Sequence, residues 1–144
     1  MNKKDLNRYH ILKESIRQTR EIIAQLERRA SAVPVVKDTV QASAHEWPYI
    51  KERVTVDAYE PKQYTRIKEM IIKCKRELQS MEIDELEQQA RLLQFINSLQ
   101  NVRDRYIMKA IYLEDRPQRE IAIDLDLTEG RVSQIHDEIL ELLN

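Results

Sequence analysis

The chain has 144 residues, of which 42% are hydrophobic and 34% are charged, and its formal net charge is −1. This length is enough for one or two small domains with a hydrophobic core. The single cysteine excludes an intramolecular disulfide and fits a reducing cytoplasm, and there is neither an apolar run of about 18 residues for a membrane span nor an apolar signal core after the charged N-terminus.

Long helices are predicted first, because the chain has only one glycine and four prolines. A first helix is predicted from about Lys4 to Ala30. Its apolar positions alternate at spacings of three and four residues and form one stripe: Tyr9, Leu12, Ile16, Thr19, Ile23, Leu26 and Ala30. A lone helix cannot bury such a stripe, so a partner helix is required.

Residues 31–60 form the one long stretch without helical periodicity. Two segments, 33–36 and 53–56, have the β-branched content of short strands and are candidates for a small paired ribbon. Trp47, Pro48 and Tyr49 indicate an ordered connection. We interpret these three residues as a cap on the open end of a helical hairpin rather than as a ligand site.

A second long helix is predicted to begin near Pro61. Its stripe has the same spacing and consists of Tyr64, Ile67, Ile71, Cys74, Leu78 and Met81. The two helices are therefore expected to pack antiparallel, although pairing of the stripes between two chains of a dimer is the alternative. Beyond Met81 the stripe meets Glu85 and Gln88 and is predicted to resume, after a stutter and hinge, through Leu86, Ala90, Leu93 and Ile96.

The C-terminal part has the pattern of a helix, a tight turn and a second helix. Pro117 fits the start of the first helix, which would bury Ile121, Ala122 and Leu125. Asp126 tolerates the left-handed backbone of the turn, and Leu127 is expected to fill the core. Thr128 is predicted to cap the second helix, residues 128–143. This helix would bury Val132, Ile135, Ile139 and Leu142.

The remaining side chains of the second helix point to DNA recognition. In a helix-turn-helix the N-terminal part of the second helix enters the major groove, where arginine matches guanine and glutamine matches adenine. Arg131 and Gln134 are therefore the predicted base readers. The complete predicted set of DNA-binding residues is Thr128, Glu129, Gly130, Arg131, Ser133, Gln134, Arg119 and Arg116.

The block from Phe95 to Leu143 resembles region 4 of bacterial sigma factors, which reads the promoter −35 element. The residues that carry the resemblance are Arg105, Tyr112, Glu120, Ile121, Ala122, Leu125, Leu127, Thr128, Val132, Ile135, Leu140 and Leu143. Upstream, segments 37–43 and 47–50 resemble small regulators of phages and prophages of Gram-positive bacteria, of the late-gene activator and autolysin-regulator type. The resemblance implies promoter DNA as the ligand and bacterial RNA polymerase as a partner.

The C-terminal block departs from typical sigma recognition helices, which are more basic near their start. Glu129, Gly130 and Ser133 stand there, and residues 97–144 carry six Arg and Lys against ten Asp and Glu, a balance of −4. Because phosphate neutralisation supplies most DNA affinity, the isolated domain is expected to bind weakly. Tight binding then requires a homodimer or RNA polymerase that holds the domain on DNA.

The sequence thus predicts an all-α protein with a helical hairpin at residues 1–94 and a helix-turn-helix domain at residues 95–144. No enzyme, cofactor, metal site or small-molecule substrate is predicted, because His10, His45 and His136 are scattered and Cys74 lies on an apolar stripe. Two alternatives to a DNA reader stay open. One is a module that docks on RNA polymerase or another regulator without reading bases, and the other is a structural coiled coil.

Overall fold

The structure is a computed structural model that describes the backbone of residues 1–32, 35–43, 51–59 and 61–143 and the side chains of residues 1–32 and 62–143. The elements in chain order are α1 (Lys3–Ala32), β1 (Val35–Ser43), β2 (Lys51–Tyr59), α2 (Pro61–Ser98), α3 (Val102–Tyr112), α4 (Gln118–Asp124) and α5 (Glu129–Glu141). The predicted helical fold is confirmed, with a hairpin of α1 and α2 and a C-terminal helix-turn-helix.

The two strands confirm the predicted ribbon. They pair antiparallel, with Thr39 opposite Thr55 and Val40 opposite Val54. The strands are longer than the predicted segments, and residues 33 and 34 lie outside the described part of the chain. The predicted cap formed by Trp47, Pro48 and Tyr49 also lies outside the described residues.

The chain divides into two compact units, the second of which is Gln18–Leu78. In this unit Leu26 of α1 and Ile67 of α2 are buried together. The partly buried residues around them are Ala30, Tyr64, Ile71 and Cys74. Lys75 Nζ lies 3.2 Å from Glu27 Oε1 at the surface. Parts of the two predicted stripes therefore pack against each other within one chain, and Cys74 is partly buried against this cluster.

The first unit, Met1–Arg17 with Gln79–Asn144, contains the helix-turn-helix. Each helix of this unit contributes residues to its hydrophobic core. Leu6 and Tyr9 come from α1, and Leu92 and Ile96 come from α2. The buried residues of the remaining segments are Leu99, Ile107, Met108, Ala110, Ile121, Ala122, Val132, Ile135, Ile139 and Leu143. The helix-turn-helix thus shares one core with the beginning of α1 and the end of α2.

The predicted stutter in α2 is wrong. Leu86 is 66% exposed and Ala90 is also exposed, whereas Leu92 is fully buried. From Met81 the buried side continues at regular three- and four-residue steps through half-buried Glu85 and Gln88. Hydrophobicity misled the prediction because Leu86 and Ala90 are apolar residues on the opposite face of an uninterrupted helix.

A second correction concerns the end of α5. Leu142 was expected in the core but is 70% exposed, and Leu143 is buried in its place. Steps of three and four residues both return to the same side of a helix, so periodicity alone does not choose between these neighbours. The other three predicted core residues of this helix, Val132, Ile135 and Ile139, are buried.

The predicted domain boundary between residues 94 and 95 differs from the limits of the compact units. It stays a prediction about which part of the chain folds by itself. No helix in the described ranges is long and apolar enough to cross a membrane.

Two leucines of α2 test the corrected assignment of its buried side. We expect Leu92→Ala to lower the free energy of unfolding by about 2–5 kcal/mol, because it removes a fully buried side chain. The matched change Leu86→Ala should alter it by less than about 0.5 kcal/mol, because that side chain is exposed. Urea unfolding followed by circular dichroism measures both free energies. Equal losses of stability in the two variants would support the predicted stutter instead.

Candidate nucleic-acid interface

The turn between α4 and α5 is fixed by backbone hydrogen bonds. Asp126 has a φ of 54°, the left-handed conformation predicted for it. The N–H of Leu127 donates to the carbonyl of Ala122 over 2.9 Å, and that of Asp126 donates to the carbonyl of Ile123 over 3.3 Å. This pair of bonds is the Schellman arrangement, which ends a helix and satisfies its last carbonyl groups. The turn therefore sets the direction in which α5 departs.

The start of α5 is capped as predicted. Thr128 has an extended backbone, and its side chain accepts a hydrogen bond from the N–H of Arg131 over 3.2 Å. Leu127, just before the cap, is partly buried against the core. The first turn of α5 is thus anchored on one side, while its other side faces solvent.

Most of the predicted DNA-binding residues lie together on that open side. Of the predicted residues in α5 and its cap, Thr128, Glu129, Gly130, Arg131 and Gln134 are exposed, and Ser133 is half-buried beside them. Val132 and Ile135 alternate with this set and are buried. Because the buried residues hold the helix against the core, the exposed ones form a continuous surface at its N-terminal half.

Arg131 is held by two side chains of its own helix. Its Nη1 donates to Gln134 Oε1 over 3.3 Å and lies 3.5 Å from Glu138 Oε1. Residues three and seven positions apart lie on the same side of a helix, which explains the contact. The two predicted base readers are therefore neighbours that touch each other.

Arg116, the other predicted contact of interest, lies in a polar network instead of projecting freely. Its Nη1 donates to the Tyr106 hydroxyl over 2.9 Å, and its Nη2 donates to Asp124 Oδ2. The Tyr106 hydroxyl donates to the same carboxylate oxygen over 2.8 Å. Arg116 and Tyr106 lower the pKa of Asp124 below its usual value, because both stabilise the carboxylate.

This network ties the middle of α3, the connecting turn and α4 together. The Arg116 side chain is 27% exposed, so part of it stays accessible to a phosphate. Arg119 is exposed in comparison and has no ion pair within the described residues. The structure therefore brings Arg119 to the surface as predicted and gives Arg116 a structural role in addition to the predicted contact.

A second polar pair joins α3 to α5 behind the exposed surface. The Tyr112 hydroxyl lies 2.9 Å from His136 Nε2, and the two rings stack with centroids 5.8 Å apart. Burial lowers the pKa of His136 and, together with Asp137, raises the pKa of Tyr112. The lowered pKa favours the neutral imidazole, which shares a hydrogen bond with the Tyr112 hydroxyl. The contact fixes the rotation of α5 about its axis.

The N-terminal helix adds an anchor that the sequence did not predict. Lys13 Nζ donates to Asp115 Oδ2 over 2.6 Å and to the carbonyl of Tyr112 over 3.1 Å. Asp115 is the other non-glycine residue with a left-handed backbone among those described, at a φ of 52°. Lys13 therefore binds the C-terminal end of α3, where unpaired carbonyl groups favour a cation.

Sequence reasoning also missed Tyr106, Asp124 and Glu138 as partners of the predicted arginines. The seven-residue spacing of Arg131 and Glu138 was a usable signal, because such residues share a helix face. Arg116 and Asp124 lie in different elements, so their contact had no signal in the sequence. No group of three or more His, Cys, Asp or Glu side chains arranged for a metal occurs within the described ranges.

Residues 101–143 match the family model of Sigma-70, region 4. The match begins at Asn101, which caps α3, and ends at Leu143, the last buried residue. Region 4 is a DNA-binding helix-turn-helix domain, so the C-terminal part of this chain is a domain of that type. No curated protein and no solved structure matches the chain.

The turn of the helix-turn-helix depends on the backbone of Asp126. We expect Asp126→Val to lower the free energy of unfolding by about 1–2 kcal/mol, because a β-branched residue resists the left-handed conformation. Asp126→Asn is the control, because asparagine tolerates this backbone and removes the same charge. Thermal unfolding of both variants decides the point, and a valine variant as stable as the asparagine variant would contradict the reading of the turn.

Proposed function

We propose that this protein is a transcription regulator that reads promoter DNA with the helix of residues 128–143. The observation that carries the proposal is the exposed N-terminal half of α5, held by a capped turn within a segment that matches Sigma-70, region 4. The proposed contacts to bases and phosphates are those of Thr128, Glu129, Gly130, Arg131, Ser133, Gln134, Arg119 and Arg116.

Gly130 supports the proposal independently of charge. It is the single glycine of the chain and lies in the first turn of α5. A Cβ added there would meet nothing within 4 Å, and the backbone does not need a glycine conformation. Glycine within a helix is less stable than alanine by about 0.5–1 kcal/mol. The presence of a glycine at this helical position is explained if another molecule approaches the backbone closely there.

The charge of α5 indicates how the protein would bind. The helix carries Arg131 as its one Lys or Arg, against the carboxylates of Glu129, Asp137, Glu138 and Glu141. Because phosphate contacts supply most affinity, one such helix binds DNA weakly. We infer that a homodimer or bacterial RNA polymerase provides the additional contacts, since linked sites bind far more tightly than either site alone.

The finer assignment is a late-gene activator carried by a phage or prophage and acting in the bacterial cytoplasm. Its support is the resemblance of segments 37–43 and 47–50 to small phage regulators, together with the region 4 match. Homodimer formation and contact with RNA polymerase are parts of this proposal.

A second candidate function is supported by the same acidic surface. With four carboxylates on α5, the domain has the charge of a surface that docks on a basic protein without reading bases. In that case the exposed α5 face would contact RNA polymerase or another regulator. The two candidates differ in whether Arg131 discriminates between base pairs.

Selection of genomic DNA fragments by the purified full-length chain tests the proposal. We expect enrichment of a discrete motif, with or without RNA polymerase, because exposed side chains of α5 can form hydrogen bonds with base edges. Arg131→Ala should cost about 1–3 kcal/mol at one guanine and relax the preference at that position. Measurements at two salt concentrations separate base reading from phosphate binding.

The outcomes of this selection distinguish the two candidate functions. Enrichment with RNA polymerase alone, abolished by Arg131→Ala, indicates a sigma-like reader that needs the polymerase to hold it on DNA. A motif bound equally by wild type and Arg131→Ala removes Arg131 as the reader. No enrichment under either condition favours the docking module.

Gly130 provides a prediction with opposite effects on stability and binding. Gly130→Ala should raise the free energy of unfolding by about 0.4–1 kcal/mol, because the residue is helical and the added Cβ has room. The same change should weaken binding to the selected motif several-fold by obstructing close approach. Thermal unfolding and fluorescence anisotropy measure the two effects, and unchanged binding would show that the first turn of α5 does not approach DNA closely.

A further inference from the structure

The contacts of Arg131 leave one particular edge of its guanidinium group available. Gln134 and Glu138 both accept from Nη1. Within the described part of the chain, neither Nε nor Nη2 of Arg131 has a hydrogen-bond partner. The free edge is therefore the Nε and Nη2 pair, and the occupied edge points along α5 toward its C-terminus.

This free edge has the geometry that guanine requires. A guanidinium group binds O6 and N7 of guanine with two parallel hydrogen bonds, and the Nε and Nη2 groups form one such pair of donors. An unrestrained arginine has many rotamers and loses them on binding. Contacts that hold Nη1 before DNA arrives reduce this loss and orient the donors.

We propose that Glu138 is a positioning residue that holds Arg131 with this edge directed at a guanine. The inference rests on the proposed function and deepens it by naming the base and the residue that orients its reader. Glu138 touches no base in this arrangement and acts through Arg131 alone.

Gln134 acquires a different role from the one expected from the sequence. Reading adenine requires both its Oε1 as acceptor and its Nε2 as donor. Its Oε1 already accepts from Arg131. Arg131, Gln134 and Glu138 therefore form one guanine-reading unit, in which Gln134 and Glu138 both hold Nη1 of Arg131.

Glu138 has a second effect because it is a carboxylate near DNA phosphates. Its charge opposes binding to every DNA sequence, whereas its contact with Arg131 favours one base pair. Loss of Glu138 should thus raise affinity for unrelated DNA and lower discrimination at the site. The ion pair is exposed, at 44% for Arg131 and 62% for Glu138, so its loss should leave the fold intact.

Glu141 offers a matched control. It lies one turn further along α5, is exposed, and makes no contact with Arg131. Glu138→Ala and Glu141→Ala therefore change the same charge and the same side-chain volume, but Glu138→Ala alone removes a contact of Arg131. Glu138→Gln keeps an acceptor oxygen for Nη1 while removing the charge.

The test measures binding of the full-length variants to the selected motif and to duplexes in which each of its G·C pairs is replaced in turn, with RNA polymerase where selection required it. For Glu138→Ala we expect the preference at the position read by Arg131 to fall at least about fivefold. Affinity for unrelated DNA should rise in the same variant. Glu141→Ala should raise affinity for all duplexes alike and leave the preference unchanged, and Glu138→Gln should retain part of the preference.

Combination with Arg131→Ala completes the experiment. If Glu138 acts through Arg131, Glu138→Ala has no further effect on base preference in that background. Equal base preferences in Glu138→Ala and Glu141→Ala would overturn the positioning role while leaving the proposed function intact. Failure of the wild-type protein to select any motif would overturn the proposed function itself.

Discussion

The architecture around the candidate DNA-binding surface depends on one shared hydrophobic core. The apolar residues from α3 to α5 belong to a larger core, and domains as small as this segment expose a large share of their surface. Leu6 and Tyr9 of α1 and Leu92 and Ile96 of α2 complete the core from outside that segment. Burial is deep enough to raise the pKa of Tyr9 to about 12, with Glu85 and Asp115 adding smaller effects. The position of α5 therefore depends on residues at the other end of the sequence.

Polar contacts add orientation to this core. Apolar packing is non-directional, so it holds α3, α4 and α5 together without fixing their rotation closely. Arg116 with Tyr106 and Asp124 restrains α4, and Tyr112 with His136 restrains α5. Each contact joins two different elements and therefore restricts their rotation relative to each other. As a consequence, Arg116, which was predicted to contact DNA, also makes hydrogen bonds that stabilise the fold.

The sequence predicted the elements well and their partners less well. Capping by Thr128 and the left-handed Asp126 are local effects of residue type, so they were predictable and are confirmed. The predicted stutter was wrong because the polar residues Glu85 and Gln88 continue the buried side of α2 while Leu86 is exposed. The anchor formed by Lys13 joins residues about a hundred positions apart, and no local pattern encodes such a contact.

The exposed residues of the candidate site were predicted as a set, because burial of Val132 and Ile135 leaves only the opposite face for a ligand. What the pattern did not contain was the contact of Arg131 with Glu138, since a carboxylate on a DNA-binding helix has no obvious use. Its presence fits the positioning role proposed for Glu138. A helix with one cation and four carboxylates gains little from phosphates, so the proposed function requires well-oriented base contacts and a second attachment point. Weak attraction to unrelated DNA then becomes an advantage, because a regulator that does not adhere to the bulk of the genome remains available for its own site.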